Sequence, residues 1–249
     1  MTRLVRAEFL KLLTTQVWFW LLLAALAVSA LFVIGPFASG GVNNGKDVAQ
    51  VLSGASTAYI VVFVLGVLGI TTEIRYQTIT PTVLVTPSRW TLMTAKMIAY
   101  AILGVLYALA CLVIQLAIAV PWVAADSIPT TWSSDGIPRA LWGVFLVLAL
   151  FGIVGLGIGA LLRNQIVAVS VGVIFLLVLQ GIISIIPGLR VIYPYLPGGA
   201  INAILPTGAE GNIPGVQLLS VAGGVVVLLL WAFVPAIIGA SITLNRDIT

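Results

Sequence analysis

Residues 73–90, "EIRYQTITPTVLVTPSRW", hold three charges, four threonines and two prolines between two long apolar runs. The rest of the chain is so apolar that the side of a membrane on which this stretch lies fixes the course of every other segment. The 249 residues are 61% hydrophobic and only 7% charged, with 25 glycines and a mean hydropathy of +1.22. A soluble domain carries about a quarter charged residues, so composition places this chain in a bilayer.

Charge-free intervals run over 12–45, 48–72, 97–125, 140–162, 164–189 and 211–245. Each exceeds the roughly 20 residues that a helix needs to cross the hydrocarbon. Trimmed at Pro, Gly and Asn, they predict six transmembrane helices near 17–36, 55–72, 92–120, 140–161, 165–187 and 217–243. The fold class is therefore all-α integral membrane, in one domain over 1–249.

An even number of spans puts both termini on one side, and the positive-inside rule selects the side. With cytoplasmic termini, Arg3, Arg6, Lys11, Arg75, Arg89, Lys96, Arg163 and Arg246 lie inside, and only Lys46, Arg139 and Arg190 outside. The 73–90 stretch is then cytoplasmic. Outside lie a loop around Asn43–Asp47, a second at 121–138 and a third at 188–216. Within the third, "YPYLPGGAINAIL" is too apolar for an open loop and too broken by Pro and Gly for a span, which predicts a re-entrant or interfacial segment.

The N-terminus has the basic-then-apolar order of a signal peptide but no cleavage pattern, so it reads as retained. Residues 3–15 are amphipathic: Val5, Phe9, Leu12 and Leu13 share one arc, with Arg3, Arg6, Glu8 and Lys11 around the rest. Such a helix lies along the inner surface of the membrane. The remaining basic residues are scattered rather than clustered, which argues against nucleic acid as a partner.

The chemistry that the chain lacks narrows its class. It has no His and one cysteine, Cys111, which removes a disulfide framework, a zinc site and a Cys/His nucleophile pair within one chain. No GxxxxGK[ST] phosphate loop occurs, and no acidic residue falls at mid-depth of a predicted span. The chain reads as no enzyme and binds no cofactor of its own. Gln115, Gln180, Thr57 and a few serines are the polar residues of the spans, and Gly152, Gly155, Gly157 and Gly159 crowd the fourth, where small residues let helices approach. The expected role of Gln115 and Gln180 is hydrogen bonding to neighbouring helices, and Pro235 is expected to kink the sixth span.

The 73–90 stretch itself reads as a short rigid helix. Thr80 suits the cap, Pro81 the first turn, "PTVLVT" about one and a half turns, and Pro87 the stop, after which Ser88 suits the cap of the third span. Val83 and Leu84 would face the cytosol, a cost that a covering protein removes.

The same residues resemble a known family. "TEIRYQTITPTVLVTPSRWTLMTAKMIAY" is similar to the segment after the second span of ABC-2 type permeases, the membrane subunits of bacterial ATP-binding-cassette exporters, with an E-x-R-x-x-T-I-x-x-x-L-x-T-P-x-R pattern. Here the matching residues are Glu73, Arg75, Thr78, Ile79, Leu84, Thr86, Pro87 and Arg89. "LLRNQIVAVSVGVIF", "YLPGGAINAIL" and "LVRAEFLKLLTT" extend the likeness over most of the chain.

The resemblance implies a multi-pass subunit of a bacterial cell membrane that pairs with a second permease subunit and with ATPase subunits holding ATP and Mg. It implies a coupling helix over 78–90, including Pro81 and Val83, and an interface helix over 3–15 with Arg3, Arg6, Glu8, Phe9 and Lys11. It also implies an external gate over about 193–206, with Tyr195, Leu196, Pro197 and Asn202. On this likeness Glu73 and Arg75 make polar contacts to the ATPase or to the N-terminal helix, as surface ion pairs. The rival readings are a gradient-driven carrier or channel without ATPase, and a membrane anchor for a partner protein.

Topology is open to a direct test. A thiol introduced as Val83→Cys is expected to react with a membrane-impermeant maleimide only after the inner face is exposed, whereas Lys46→Cys reacts on intact cells. Reaction of Val83→Cys from outside would reverse the orientation.

Overall fold

The computed structural model describes residues 2–76, 89–208 and 216–245, and these contain helices and loops but no strand. Helix α1 covers Thr2–Thr14, α2 Val17–Ala38 and α3 Gly45–Ser53. A 3-10 turn, Gly54–Ala58, joins α3 to α4, Tyr59–Arg75. Then come α5, Arg89–Ala125, and α6, Ile137–Leu162. Helix α7, Gln165–Ile174, passes through a π turn, Phe175–Leu179, into α8, Gln180–Ile185. A 3-10 turn at Arg190–Tyr195 and the short α9, Pro197–Ile204, precede α10, Val221–Asn245.

Among the described residues six helical stretches are long and apolar enough to cross a membrane: Val17–Ala38, Gly45–Arg75, Trp90–Ala125, Ile137–Leu162, Gln165–Ile185 and Val221–Ser241. All six intervals expected from the charge pattern are present, with different ends. The second begins at Gly45 instead of near 55, because Asn44 closes a capping box. Its side chain accepts from the Lys46 and Asp47 amides, and Asp47 accepts from the Asn43 and Asn44 amides. Asp47, expected in a loop, therefore opens a helix. The third continues through Pro121 to Ala125, although proline there forfeits the bond to the carbonyl four residues back. The sixth starts at Val221 rather than 217.

Helix α6 is the central rod. In its most apolar window 72% of residues are buried, against 17% for α2 and 22% for the α7–α8 span, which lie at the periphery. Leu148, Phe151 and Leu156 are fully enclosed on α6. Glycines set the spacing: a side chain on Gly66 would strike the Gly152 carbonyl, one on Gly155 the Phe63 carbonyl, and one on Gly152 the Tyr100 carbonyl. The crowd of glycines read in the fourth span thus sits where α4 and α5 touch α6 backbone to backbone. On the other side, Gly157 of α6 meets Ala236 of α10 and Gly239 of α10 meets Ala160 of α6.

The outward faces are apolar. Ile102, Leu106, Leu109 and Val113 form an exposed stripe along α5, and Val226, Leu230, Val234 and Ile237 one along α10. Stripes of that length suit a hydrocarbon surround and not water.

Backbone contact at Gly155 leaves no room for a side chain. Gly155→Leu is expected to lower thermal stability in detergent by about 1–3 kcal/mol, the cost of overpacking a close-packed core. Gly181→Ala, where nothing lies within 4 Å of the added carbon, is expected to leave it unchanged.

Candidate functional site

Four charged residues from three helices close a ring at one end of the bundle. Glu8 and Lys11 share a face of α1, Glu73 lies in the last turn of α4, and Lys96 sits about two turns into α5. The Lys96 Nζ donates to Glu8 Oε2 at 2.6 Å and to Glu73 Oε1 at 2.7 Å. The Lys11 Nζ donates to Glu8 Oε1 at 2.9 Å and to Glu73 Oε1 at 2.8 Å. Two ammonium groups and two carboxylates alternate, so the ring is neutral as a whole.

The ring is internal. Lys96 is 2% exposed, Glu8 4% and Glu73 8%, while Lys11 forms the outer edge. Such pairs hold charge in a weakly polar interior only because each charge is matched and hydrogen-bonded. One turn beyond Lys96, the buried Tyr100 lays its hydroxyl against Gly69, where a side chain would collide with it. Phe9 and Leu12 of α1 pack on the main core beside the ring.

Two expectations are corrected here. Glu8 belongs to the buried side of α1 and not to its solvated face, and Glu73 is an internal partner and not half of a surface ion pair. The 3.6-residue period that places Phe9 and Leu12 inward carries Glu8 in with them, and Lys96 supplies the charge that makes this tolerable. Glu73 does contact the N-terminal helix, through Lys11.

The other expected residues divide. Arg6 is exposed, and Arg75 is exposed with its guanidinium 5.8 Å from the centre of the Tyr76 ring. Arg3 and Arg89 lie in the first turns of α1 and α5. Thr78, Ile79, Pro81, Val83, Leu84, Thr86 and Pro87 lie outside the described residues, as do the caps expected of Thr80 and Ser88.

At the opposite end of the bundle, the 190–204 segment is tied down by its own polar groups. Asn202 donates to the Tyr193 hydroxyl at 2.8 Å and accepts from Thr207 at 3.0 Å. Arg139, at the start of α6, donates to the Ile204 and Ala203 carbonyls at 2.8 Å each, satisfying the C-terminal end of α9. Leu196 and Pro197 are buried, and Tyr195 is exposed with its carbonyl accepting from Trp231 Nε1 at 3.0 Å. Both span glutamines bond to neighbouring segments as expected: Gln115 donates to the Ser29 carbonyl at 3.2 Å, and Gln180 accepts from the Gly198 amide at 2.5 Å.

Sequence reasoning passed over Lys96 and Arg139 as site residues, having used both only to set orientation. A lysine placed more than a turn inside a span is a signal in itself, because it demands an internal partner. Among the described residues no group of three His, Cys, Asp or Glu is placed to hold a metal ion.

The fold and the ring define an all-helical chain with six helices suited to crossing a membrane and an internal charge cluster at one end. No protein-family model matches the chain, and no curated protein matches it.

Removing one member leaves the ring unbalanced. Lys96→Met is expected to destabilise the protein by about 3–5 kcal/mol, because it strands buried carboxylates, and a thermal unfolding series in detergent checks this. The ring also sets one pH dependence. Burial works to lower the Lys11 pKa, but the hydrogen bonds and charges of Glu73 and Glu8 outweigh it, so its ammonium titrates above the ordinary 10.5. A raised folded pKa gives stability that is complete below that ordinary value and lost as pH climbs through the folded one. Lys11→Met should therefore flatten the decline in stability above about pH 10.5 and leave the profile near neutral pH unaltered in shape.

Proposed function

We propose that this chain is the permease subunit of an ABC-2 type exporter, forming a substrate path with a second permease subunit and driven by separate ATPase subunits on the cytoplasmic face. The observation that carries the reading is the ring in which Glu73 bonds to Lys96 and Lys11 and both lysines bond to Glu8. The E-x-R-x-x-T-I-x-x-x-L-x-T-P-x-R stretch is strung between α4 and α5, and those two helices are pinned together by Glu73 and Lys96 at 2.7 Å. A partner gripping the intervening residues thus pulls on α4, α5 and α1 as one body.

On this reading the ATPase closes when it binds ATP, the coupling helix over 78–90 moves with it, and the spans reorient around the path. Each nucleotide state favours one membrane conformation through differential contacts at that helix. Leu84 is the apolar anchor in the ATPase, and Arg75 and Arg89 flank it with charge. Arg6 belongs to the solvated face of α1 and braces the same interface. Tyr195, Leu196, Pro197 and Asn202 close the external end. The membrane is the bacterial cell membrane, with both termini inside.

The test is retention of an active ATPase. Affinity-tagged chain, expressed in its own cell and purified in mild detergent, is expected to carry a Walker-motif ATPase and to show ATP hydrolysis. Leu84→Asp is expected to insert normally but lose about tenfold or more of that bound activity, the scale of removing one interface anchor. Transport by the purified chain alone, or full ATPase retention by Leu84→Asp, would overturn the reading.

A further inference from the structure

The end of the bundle opposite the charged ring contains a cavity of about 530 Å³, within the range of small-molecule sites. Its walls come from α2, from α3 with its following 3-10 turn, from the π turn and α8 of the fifth span, and from α9. We propose that it binds an uncharged amphiphile, whose head group presents carbonyl or hydroxyl oxygens to Gln180 and whose apolar tail leaves between Phe32 and Leu177. The site lies within one chain and needs neither an ATPase nor a second subunit, so it goes beyond the exporter reading and stands or falls separately from it.

Gln180 carries an unspent hydrogen-bond donor. Gln180 is 3% exposed and lines the cavity. Its Oε1 accepts from the Gly198 amide, which fixes the side-chain plane, and its buried Nε2 has no partner among the described residues. A buried amide N–H left unmade is costly, and an oxygen of a bound molecule removes that cost. The placement is built in: the π turn Phe175–Leu179 ends at Gln180, and a side chain on Gly198 would come within 2.7 Å of the Gln180 oxygen. Wide turns of this kind recur where a helix is bent to a local purpose.

Among the described residues no lysine or arginine lines the cavity, and the one carboxylate that does is Asp47, which caps α3. Neutral donors and acceptors surround the space instead, among them Gln50, Ser56, Tyr59 and Asn202. An anionic head group would meet a negative charge and no cation, whereas a polyhydroxyl or amide head group would meet hydrogen-bonding partners. Phe32 and Leu177 line the cavity yet are 49% and 55% exposed on the bundle's apolar flank, where a hydrocarbon tail is at home.

The experiment uses the isolated full chain in lipid nanodiscs, with Thr57→Cys as a reporter thiol on the cavity wall and fully buried Cys111 as a silent background. The rate of maleimide labelling is followed with decyl glucoside or decyl phosphate present. Decyl glucoside is expected to slow labelling in a saturable manner, and decyl phosphate at the same concentration is not. Adding Gln180→Met is expected to weaken glucoside protection about tenfold, the scale of one lost bond to a buried donor. Tyr59→Phe keeps the ring that lies 4.6 Å from Phe151 and is expected to weaken it about threefold. Equal protection by both amphiphiles, protection by neither, or undiminished protection in Gln180→Met and Tyr59→Phe would overturn the proposal.

Discussion

A lysine ammonium shut inside a membrane-type bundle must be answered by carboxylates, and Lys96 is answered twice, by Glu8 and by Glu73. That requirement organises one end of the molecule. It draws α1 out of the solvent plane until Glu8 is buried, and it holds the last turn of α4 beside the second turn of α5. It also admits Lys11 as a fourth member, because two carboxylates around one ammonium leave a net negative charge that a second ammonium cancels. Breaking any one contact costs more than the contact itself contributes, since the partner left behind keeps its desolvation cost.

The glycines of α4 and α6 make that end possible. With backbone touching backbone at Gly66, Gly152 and Gly155, α4 and α5 are drawn closely onto α6, and the adjoining ends of α4 and α5 carry Glu73 and Lys96 into one small space. Packing in the centre thus determines electrostatics at the end. At the other end α9 is fixed by different means: Arg139 satisfies its last carbonyls, Gln180 receives an amide of its first turn, and Tyr193, Asn202 and Thr207 form a chain of hydrogen bonds. One end is held by full charges, the other mainly by neutral dipoles around a cavity.

The six spans were legible because charge is so scarce that its positions delimit them. Helix ends were less so, as at Asn44, where one local capping box extends the second span by about ten residues and turns an expected loop into α3. The π turn at Phe175–Leu179 lies in an unbroken apolar run and leaves no polar mark to read. Of the site, Glu8, Lys11 and Glu73 were singled out from motif and periodicity, but their grouping was not. Glu8 and Lys96 are 88 residues apart and Glu73 and Lys96 23 apart, and no periodicity links residues on different helices. Local pattern told which side chains were unusual, and only the packing of three helices told that they share one ring.

The most direct measurement is a double-mutant cycle between Glu8→Gln and Lys96→Met, read as reversible unfolding free energy in mixed micelles. A paired, buried contact between α1 and α5 predicts a coupling above about 1 kcal/mol, the double variant being less impaired than the sum of the singles. Additivity to within about 0.5 kcal/mol would mean that the two residues do not sense one another, and the account of the ring would be contradicted.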